Sequence, residues 1–279
     1  MTVGGRLGLL RVARDACAIA GVIALVLTLA GVIEFHGDRI GWSYARDLYA
    51  YWVADPADPY ANPVGVGFAY LYSPLFLQAT LPLKLLPFDV VAAVWLVVGL
   101  AAMWWLRALW MLVIPGVSSD LLLGNINVFI AVALVLALSR PIFWGVPLLT
   151  KITPGVGILW HVARREWASL LWAAGLLAGV VLVSFLAQPS AWISWVELLR
   201  ESFSARGATT SEFGPLILRL PIAGAIVVAA ALTRRPWAVP VAALVAMPVI
   251  WPATLAVLAA IPRLVSVRLP ETTGSTRST

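Results

Sequence analysis

Five carboxylates and eight aromatic rings share one short stretch of this chain. Glu34, Asp38, Asp47, Asp55 and Asp58 are five of its thirteen acidic residues, and the rings run from Phe35 to Phe68. Carboxylates among aromatic faces suit sugar binding and removal of a proton from a hydroxyl. Asp47, in Asp47-Leu48-Tyr49-Ala50-Tyr51-Trp52, is the candidate base. Its other readings are a helix cap or a pair with Arg46 or Arg39. Asp58-Pro59-Tyr60 reads as a turn. Lys151, Arg206 and Arg219 are candidates to hold an anion such as a phosphate, since guanidinium forks and ammonium groups both suit its oxygens. For Lys151 the competing role is to snorkel or to satisfy backbone carbonyls freed by Pro154. Asn125 and Asn127 sit at a predicted helix start and can bind sugar hydroxyls or cap the helix; for one of them capping is expected. Tyr51, Tyr60 and Tyr72 offer ring faces and hydroxyls to a substrate, and tyrosines near a membrane boundary also form interfacial belts.

Some chemistry is excluded by what the chain holds. A lone Cys17 provides no disulfide and no paired-cysteine metal site, and two histidines, His36 and His161, make a histidine-based metal site an unpromising reading. No metal or cofactor is expected, and no nucleic-acid motif is present. Hydrophobic residues make up 62% of the 279 residues, charged residues 11%, and the mean hydropathy is +0.95. A soluble domain has about 45–50% and about 25% respectively. The chain therefore reads as a polytopic membrane protein with no separate soluble domain. Its net charge of +6 fits cationic cytoplasmic loops rather than an acidic partner.

These elements must position the candidate residues. A span needs about 20 apolar residues. Ala16–Ile33 qualifies, and Arg6, Arg11 and Arg14 before it predict a cytoplasmic N-terminus. The loop 34–70 is then external, with Trp42–Ala54 a helix on the membrane surface. Tyr72–Leu86 is predicted to return inward and Asp89–Leu106 to go out. Residues 108–123 are apolar but, broken by Pro115-Gly116, too irregular to count as a span. Ile126–Leu138 leads inward. Pro141–Ala163 reads as two half-helices broken at Lys151-Ile152-Thr153-Pro154-Gly155, which leaves Arg140 and Arg164 both inside and Lys151 towards the outer half of the membrane. Ala168–Ala187 is a span, Gln188–Phe213 a second external loop, and Pro215–Leu232 a span. Residues 238–264 are split by Pro248 and Pro252 into a re-entrant pair. The expected fold is all-α: a polytopic transmembrane helix bundle with re-entrant or broken helices and an external loop carrying the site. Residues 1–270 form one domain and 271–279 a disordered polar tail.

Several short patterns then fall in a telling order. Asp47-Leu-Tyr-Ala-Tyr and Asp58-Pro-Tyr precede Tyr70-Leu-Tyr-Ser-Pro-Leu-Phe. Gly124-Asn-Ile-Asn127 and Lys151-Ile-Thr-Pro154 follow, then Arg164-Arg165-Glu-Trp167 and Ser211-Glu-Phe-Gly214. Over roughly residues 10–265 the chain resembles glycosyltransferase family 87, the polyprenyl-phosphate-mannose-dependent mannosyltransferases of class C architecture. Where the family has Gly-Gln-x-Asn, this chain has Gly124-Asn125-Ile126-Asn127. The family's loop aspartate falls on Asp47, its lysine-x-x-proline on Lys151 and Pro154, and its later arginine near Arg219. After Pro248-Val-Ile-Trp251, where the family often has histidine, this chain has Pro252-Ala253-Thr254. The resemblance implies transfer of mannose from a polyprenyl-phosphate sugar donor to a glycolipid or polysaccharide acceptor. The reaction would invert the anomeric centre on the outer face of the cytoplasmic (inner) membrane. The other reading is a non-catalytic membrane protein, either a lipid-linked sugar transporter or a degenerate partner of an active transferase.

Overall fold

A computed structural model of the chain describes residues 3–30, 44–64, 66–207 and 214–266, with side chains described for 8–30, 44–64, 66–202 and 214–266. The tail 271–279 and the loop residues 34–43 lie outside the described residues. Among those described, every regular element is a helix. Three are long and apolar enough to cross a membrane: Gly8–Leu29 within α1 (Val3–Leu29), α4 (Phe88–Trp105) and α9 (Trp167–Ala187). At 1.5 Å per residue they span about 27–33 Å, the thickness of a hydrocarbon core. Their exposed faces carry Ile19, Ile23 and Val26; Val94, Val97 and Val98; and Leu171, Trp172 and Val183. Such a rind suits lipid and would be untenable in water. The chain is a multi-pass membrane protein.

α5 (Pro115–Leu123) and α6 (Asn127–Ala137) form a pair bent by 102°, counting as a fourth span if read as one broken helix. α7 (Gly145–Thr150) and α8 (Leu159–Ala163) flank a 3-10 stretch, Thr153–Ile158. The chain doubles back there as expected. Nε2 of His161 meets the carbonyl of Ala137 at 2.8 Å, so Arg140 and Arg164 lie at one end of the bundle. α11 (Leu216–Leu232), α12 (Ala238–Val245), a 3-10 stretch Pro252–Ala260 and α13 (Ile261–Ser266) complete the core. Their buried faces are rich in alanine, with Ala223, Ala230, Ala242, Ala256 and Ala260 almost fully covered. Small side chains let helices approach closely where lipid gives no hydrophobic drive.

Three expectations need correction. Tyr72–Leu86 is not a span: α3 (Pro74–Thr80) ends in a 3-10 turn, Leu81–Leu85. Ser73 caps α3 and Pro74 starts it, but Pro82 removes a backbone donor and Pro87 stops the next segment. α4, predicted to go out, instead starts beside α2, where the rings of Phe88 and Tyr49 stand 5.1 Å apart, so it leaves from the Asp47 end. Residues 108–123 form no single span, as expected: they hold a 3-10 turn (Leu109–Val113) and a short α5 that Pro115 opens at its first turn. The second external loop is largely helical. α10 (Pro189–Gly207) buries Trp192, Trp195 and Leu198 against Tyr60, Val64, Leu71 and Ile152. Nothing between Pro189 and Gly207 breaks a helix, and the apolar spacing of three is helical. The helix predicted over Trp42–Ala54 is observed as α2 (Arg46–Val53), with residues 42 and 43 outside the described residues.

Candidate active site

The turn between α5 and α6 sets the site. α5 ends with Gly124 in the left-handed region, φ 67°. Its N–H bonds Leu121 O at 3.1 Å, and the N–H of Asn125 reaches back to Asp120 O at 2.9 Å. This paired closure of a helix end needs glycine at the turning residue. Lack of a side chain matters twice, because a Cβ on Gly124 would stand 2.6 Å from Leu48 Cβ. α2 lies against that bare turn. Its approach is fixed by the N–H of Ala45, which donates to Leu122 O at 2.7 Å. At its far end the ammonium of Lys84 binds Trp52 O and Ala54 O at 2.6 and 2.5 Å, a cation on the negative end of the helix.

Asp47, in the first turn of α2, is thereby carried to Asn125. Nδ2 of Asn125 donates to Oδ2 of Asp47 at 2.5 Å. The other end of that amide, Oδ1, accepts from the N–H of Ile126 at 2.7 Å and from Nζ of Lys151 at 3.3 Å. Lys151 also donates to Oδ1 of Asn127 at 2.8 Å. Nδ2 of Asn127 donates to Oδ1 of Asp120 at 2.8 Å and to Ala253 O at 3.3 Å. Oδ2 of Asp120 accepts from the N–H of Val128 at 3.0 Å. The result is one unbroken chain: Asp47, Asn125, Lys151, Asn127, Asp120. Its outer members Asp47, Asn125 and Lys151 are half-buried, while Asn127 and Asp120 are fully buried.

Lys151 closes α7, and the residue after it is strained. Ile152 has φ 56° and ψ −65°, with the N–H of Thr153 on Lys151 O at 2.7 Å. This is a three-residue turn in a conformation that a β-branched residue rarely accepts. Such strain persists only where the surroundings dictate it, and it clusters at functional sites.

Aromatic rings wall the polar chain. The hydroxyls of Tyr51 and Tyr72 meet at 2.9 Å, and the Tyr51 ring lies 5.0, 5.5 and 6.2 Å from those of Tyr72, Phe76 and Trp95. Both tyrosines stand within electrostatic reach of Asp47 and Asp120. Tyr60 stands behind them, its hydroxyl spent on Tyr72 O at 2.8 Å. Burial among these groups pushes the Asp47 carboxyl above its ordinary range; the Asn125 hydrogen bond and the charges of Lys151 and Arg46 offset only part of that push.

The structure thus brings together Asp47, Asn125, Asn127, Lys151, Tyr51 and Tyr72. Neither asparagine caps α6 by its side chain, contrary to the expectation for one of them: that place belongs to Asp120. Lys151 serves asparagine side chains rather than carbonyls freed by Pro154. Arg219 is placed elsewhere. It is 6% exposed, and its guanidinium donates to Gly214 O, Val245 O, Met247 O and Pro248 O at 2.8–3.4 Å. It satisfies the carbonyls that the break at Pro248 leaves without helical partners. The backbone of Arg206 lies in α10; its side chain is outside those described, as is Ser211. The residue that sequence reasoning missed is Asp120. Its signal was available, as a lone carboxylate in an otherwise apolar stretch.

An all-α membrane bundle with a half-buried carboxylate, a lysine and an aromatic wall at one end defines a class, and sequence comparison places the chain within it. The family model described as Glycosyltransferase family 87 matches residues 70–270. The chain belongs to that family. Asp120, Asn125, Asn127, Lys151 and Arg219 fall inside the matched range, and Asp47 precedes it. A curated relative from Mycolicibacterium smegmatis is the polyprenol-phosphate-mannose-dependent alpha-(1-2)-phosphatidylinositol pentamannoside mannosyltransferase. The two are 27% identical over 194 residues, which is 58% of this chain and 45% of the relative. The chain therefore spans less than half the length of that protein. No solved structure matches the chain.

Proposed function

We propose that the protein is a membrane glycosyltransferase that moves a sugar, mannose by analogy with its relative, from a polyprenyl-phosphate donor to a glycolipid or polysaccharide acceptor. Asp47 takes the proton of the acceptor hydroxyl. The hydroxyl oxygen bonds the anomeric carbon as the bond from that carbon to the phosphate oxygen breaks, and polyprenyl phosphate leaves with the electron pair. A single displacement inverts the centre. One observation carries this reading: the carboxylate of Asp47 and the ammonium of Lys151 are held by the two ends of one amide, Asn125. A base and a cation are thereby fixed side by side. Lys151 uses two of its three donors within the described residues, which leaves one for a phosphate oxygen. In a site poor in water that charge counts for more than in bulk solvent.

A further feature supports the donor class. A groove of about 270 Å3 lies between α4 and α6, lined by Leu83, Val91, Val94, Trp95, Val98 and Phe129. Its lining is wholly apolar, as an isoprenoid tail requires, and it adjoins the site through Trp95, whose Nε1 donates to Asn125 O at 3.4 Å. The active end faces outward and the N-terminus lies in the cytoplasm, because Arg107, Arg140, Arg164 and Arg263 gather at the opposite end.

The test is transfer by protein purified into nanodiscs, with polyprenyl-phosphate-[14C]mannose as donor and a total membrane lipid extract as acceptor pool. Wild type is expected to label a lipid. Asp47→Asn should abolish labelling while the protein stays folded, and Lys151→Met should cut turnover by about 10²–10³-fold. Donor binding without any transfer would favour the non-catalytic reading. Near wild-type turnover by Asp47→Asn would remove Asp47 as the base.

A further inference from the structure

We propose that Asp120 is a positioning residue for the ammonium of Lys151, acting through the side chain of Asn127. Its consequence for turnover rests on the transferase reading above; the positioning itself does not.

Asp120 is 0% exposed, inside the bundle, where a carboxylate is costly and is kept for a reason. Its two oxygens have separate tasks. Oδ2 takes the N–H of Val128 at 3.0 Å, which ties α5 to the first turn of α6 across their bend. Oδ1 takes Nδ2 of Asn127 at 2.8 Å. An amide has a donor end and an acceptor end. A carboxylate can only accept, so Asp120 compels Asn127 to present its NH2 downward. The carbonyl of Ala253, at 3.3 Å on the same Nδ2, acts in the same sense. Oδ1 of Asn127 is then left pointing at Lys151, which it meets at 2.8 Å. Were Asn127 turned over, its NH2 would confront the ammonium donor to donor. Asp120 also lies within electrostatic reach of Lys151 and holds it from below, while Asn125 holds it from the side of Asp47. A cation that must meet a phosphate is in this way seated by a fully buried acid it does not touch.

The bland alternative is that Asp120 merely caps α6. Asp120→Ser separates the two, because a serine hydroxyl can still accept from Val128 but is too short to bridge to Asn127 as well. The readout need not depend on sugar transfer. The chain has only two lysines, Lys84 and Lys151, so acylation of each by a water-soluble N-hydroxysuccinimide ester can be followed by mass spectrometry, with Lys84 as internal reference. The expected result is that Asp120→Ser raises the acylation rate of Lys151 relative to Lys84 on the order of tenfold, the equivalent of losing one charge-assisted hydrogen bond. Asn127→Ala, which leaves Asp120 and its cap in place, should do the same and serves if the first variant fails to fold. Turnover should fall in Asp120→Ser but fall no further when Asp120→Ser is added to Lys151→Met, because the two act as one unit. An unchanged Lys151-to-Lys84 acylation ratio in the folded variants overturns the proposal, whatever the transfer assay gives. A raised ratio in a protein that transfers no sugar upholds the positioning and removes the transferase reading instead.

Discussion

Asn125 and Asp47, 78 positions apart, share a hydrogen bond of 2.5 Å from Nδ2 to Oδ2. That bond is the largest of the influences that lower the Asp47 carboxyl against the upward push of burial. A base works only when deprotonated, so kcat/KM is expected to rise with pH through the elevated value and then level off. Asn125→Leu removes the donor, so the acid limb should move to higher pH. The sign for stability is opposite to that of an ordinary salt-bridged aspartate. A carboxyl raised on folding contributes stability below its ordinary value and loses it as pH rises through the folded one. Asp47→Asn should therefore match or exceed wild type in thermal stability at neutral pH, with any advantage shrinking as pH falls through the elevated folded value and gone by about pH 4. A pH–rate profile identical in Asn125→Leu and wild type would show that the amide does not tune the base.

Gly124 is expected to tolerate nothing larger. Gly124→Ala places a Cβ at φ 67° and 2.6 Å from Leu48 Cβ. The backbone cost and the displacement of α2 should together lower unfolding free energy by about 1–3 kcal/mol. Because α2 carries Asp47, turnover per folded molecule should drop as well. Thermal unfolding in detergent, paired with the transfer assay, checks both. A stable and fully active variant would mean that α2 is not seated by this turn.

Much of this was legible in sequence because membrane folding leaves few options. Spans must be long and apolar, so α1, α4 and α9 stand out, and the Pro154/Gly155 break betrays the half-helices around Lys151. Asp47 was legible as a carboxylate among rings in an external loop, Asn125 and Asn127 as polar groups at a helix start, and Lys151 as an ammonium between two half-helices. Three things were not. Asp120 was overlooked because Pro115-Gly116 made its segment read as irregular, although the carboxylate itself was the exceptional feature. Arg219 has the type and placement of a phosphate ligand. Only the tertiary fold reveals that the carbonyls of Val245, Met247 and Pro248 lie in front of its guanidinium. α3 read as a span because its composition is apolar throughout; its prolines decide its length.

Arg219 should accordingly behave as a structural residue. Arg219→Met leaves several buried carbonyls without donors, each costing about 1–3 kcal/mol, so a marked loss of thermal stability is expected. Arg219→Lys should restore part of it, since three ammonium donors can reach some of those oxygens but cannot reproduce the planar fork. Donor KM, measured on the folded fraction, should move little. A variant of unchanged melting temperature and sharply raised donor KM would return Arg219 to the substrate.

The last expectation concerns which way the bundle faces. α4 runs from Phe88, whose ring meets Tyr49 at 5.1 Å, to Trp105, whose ring carries the guanidinium of Arg263 at 4.7 Å. α6 runs from Asn127 to Ala137, on which His161 rests. α9 runs from Trp167, next to the Arg164–Glu166 pair, to Ala187, after which Gln188 donates to Pro56 O. Each helix thus has the Asp47 end on one side and arginines on the other. Arginine-rich ends stay in the cytoplasm during insertion. Single cysteines at positions 140 and 164 in a Cys17→Ser background should therefore react with an impermeant maleimide only in inverted vesicles. A cysteine at position 57, in the loop after α2, should react only in right-side-out ones. Labelling of position 140 from the outside alone would place its end of the bundle opposite to the arrangement argued here, and with it would fall the external placement of the Asp47 site.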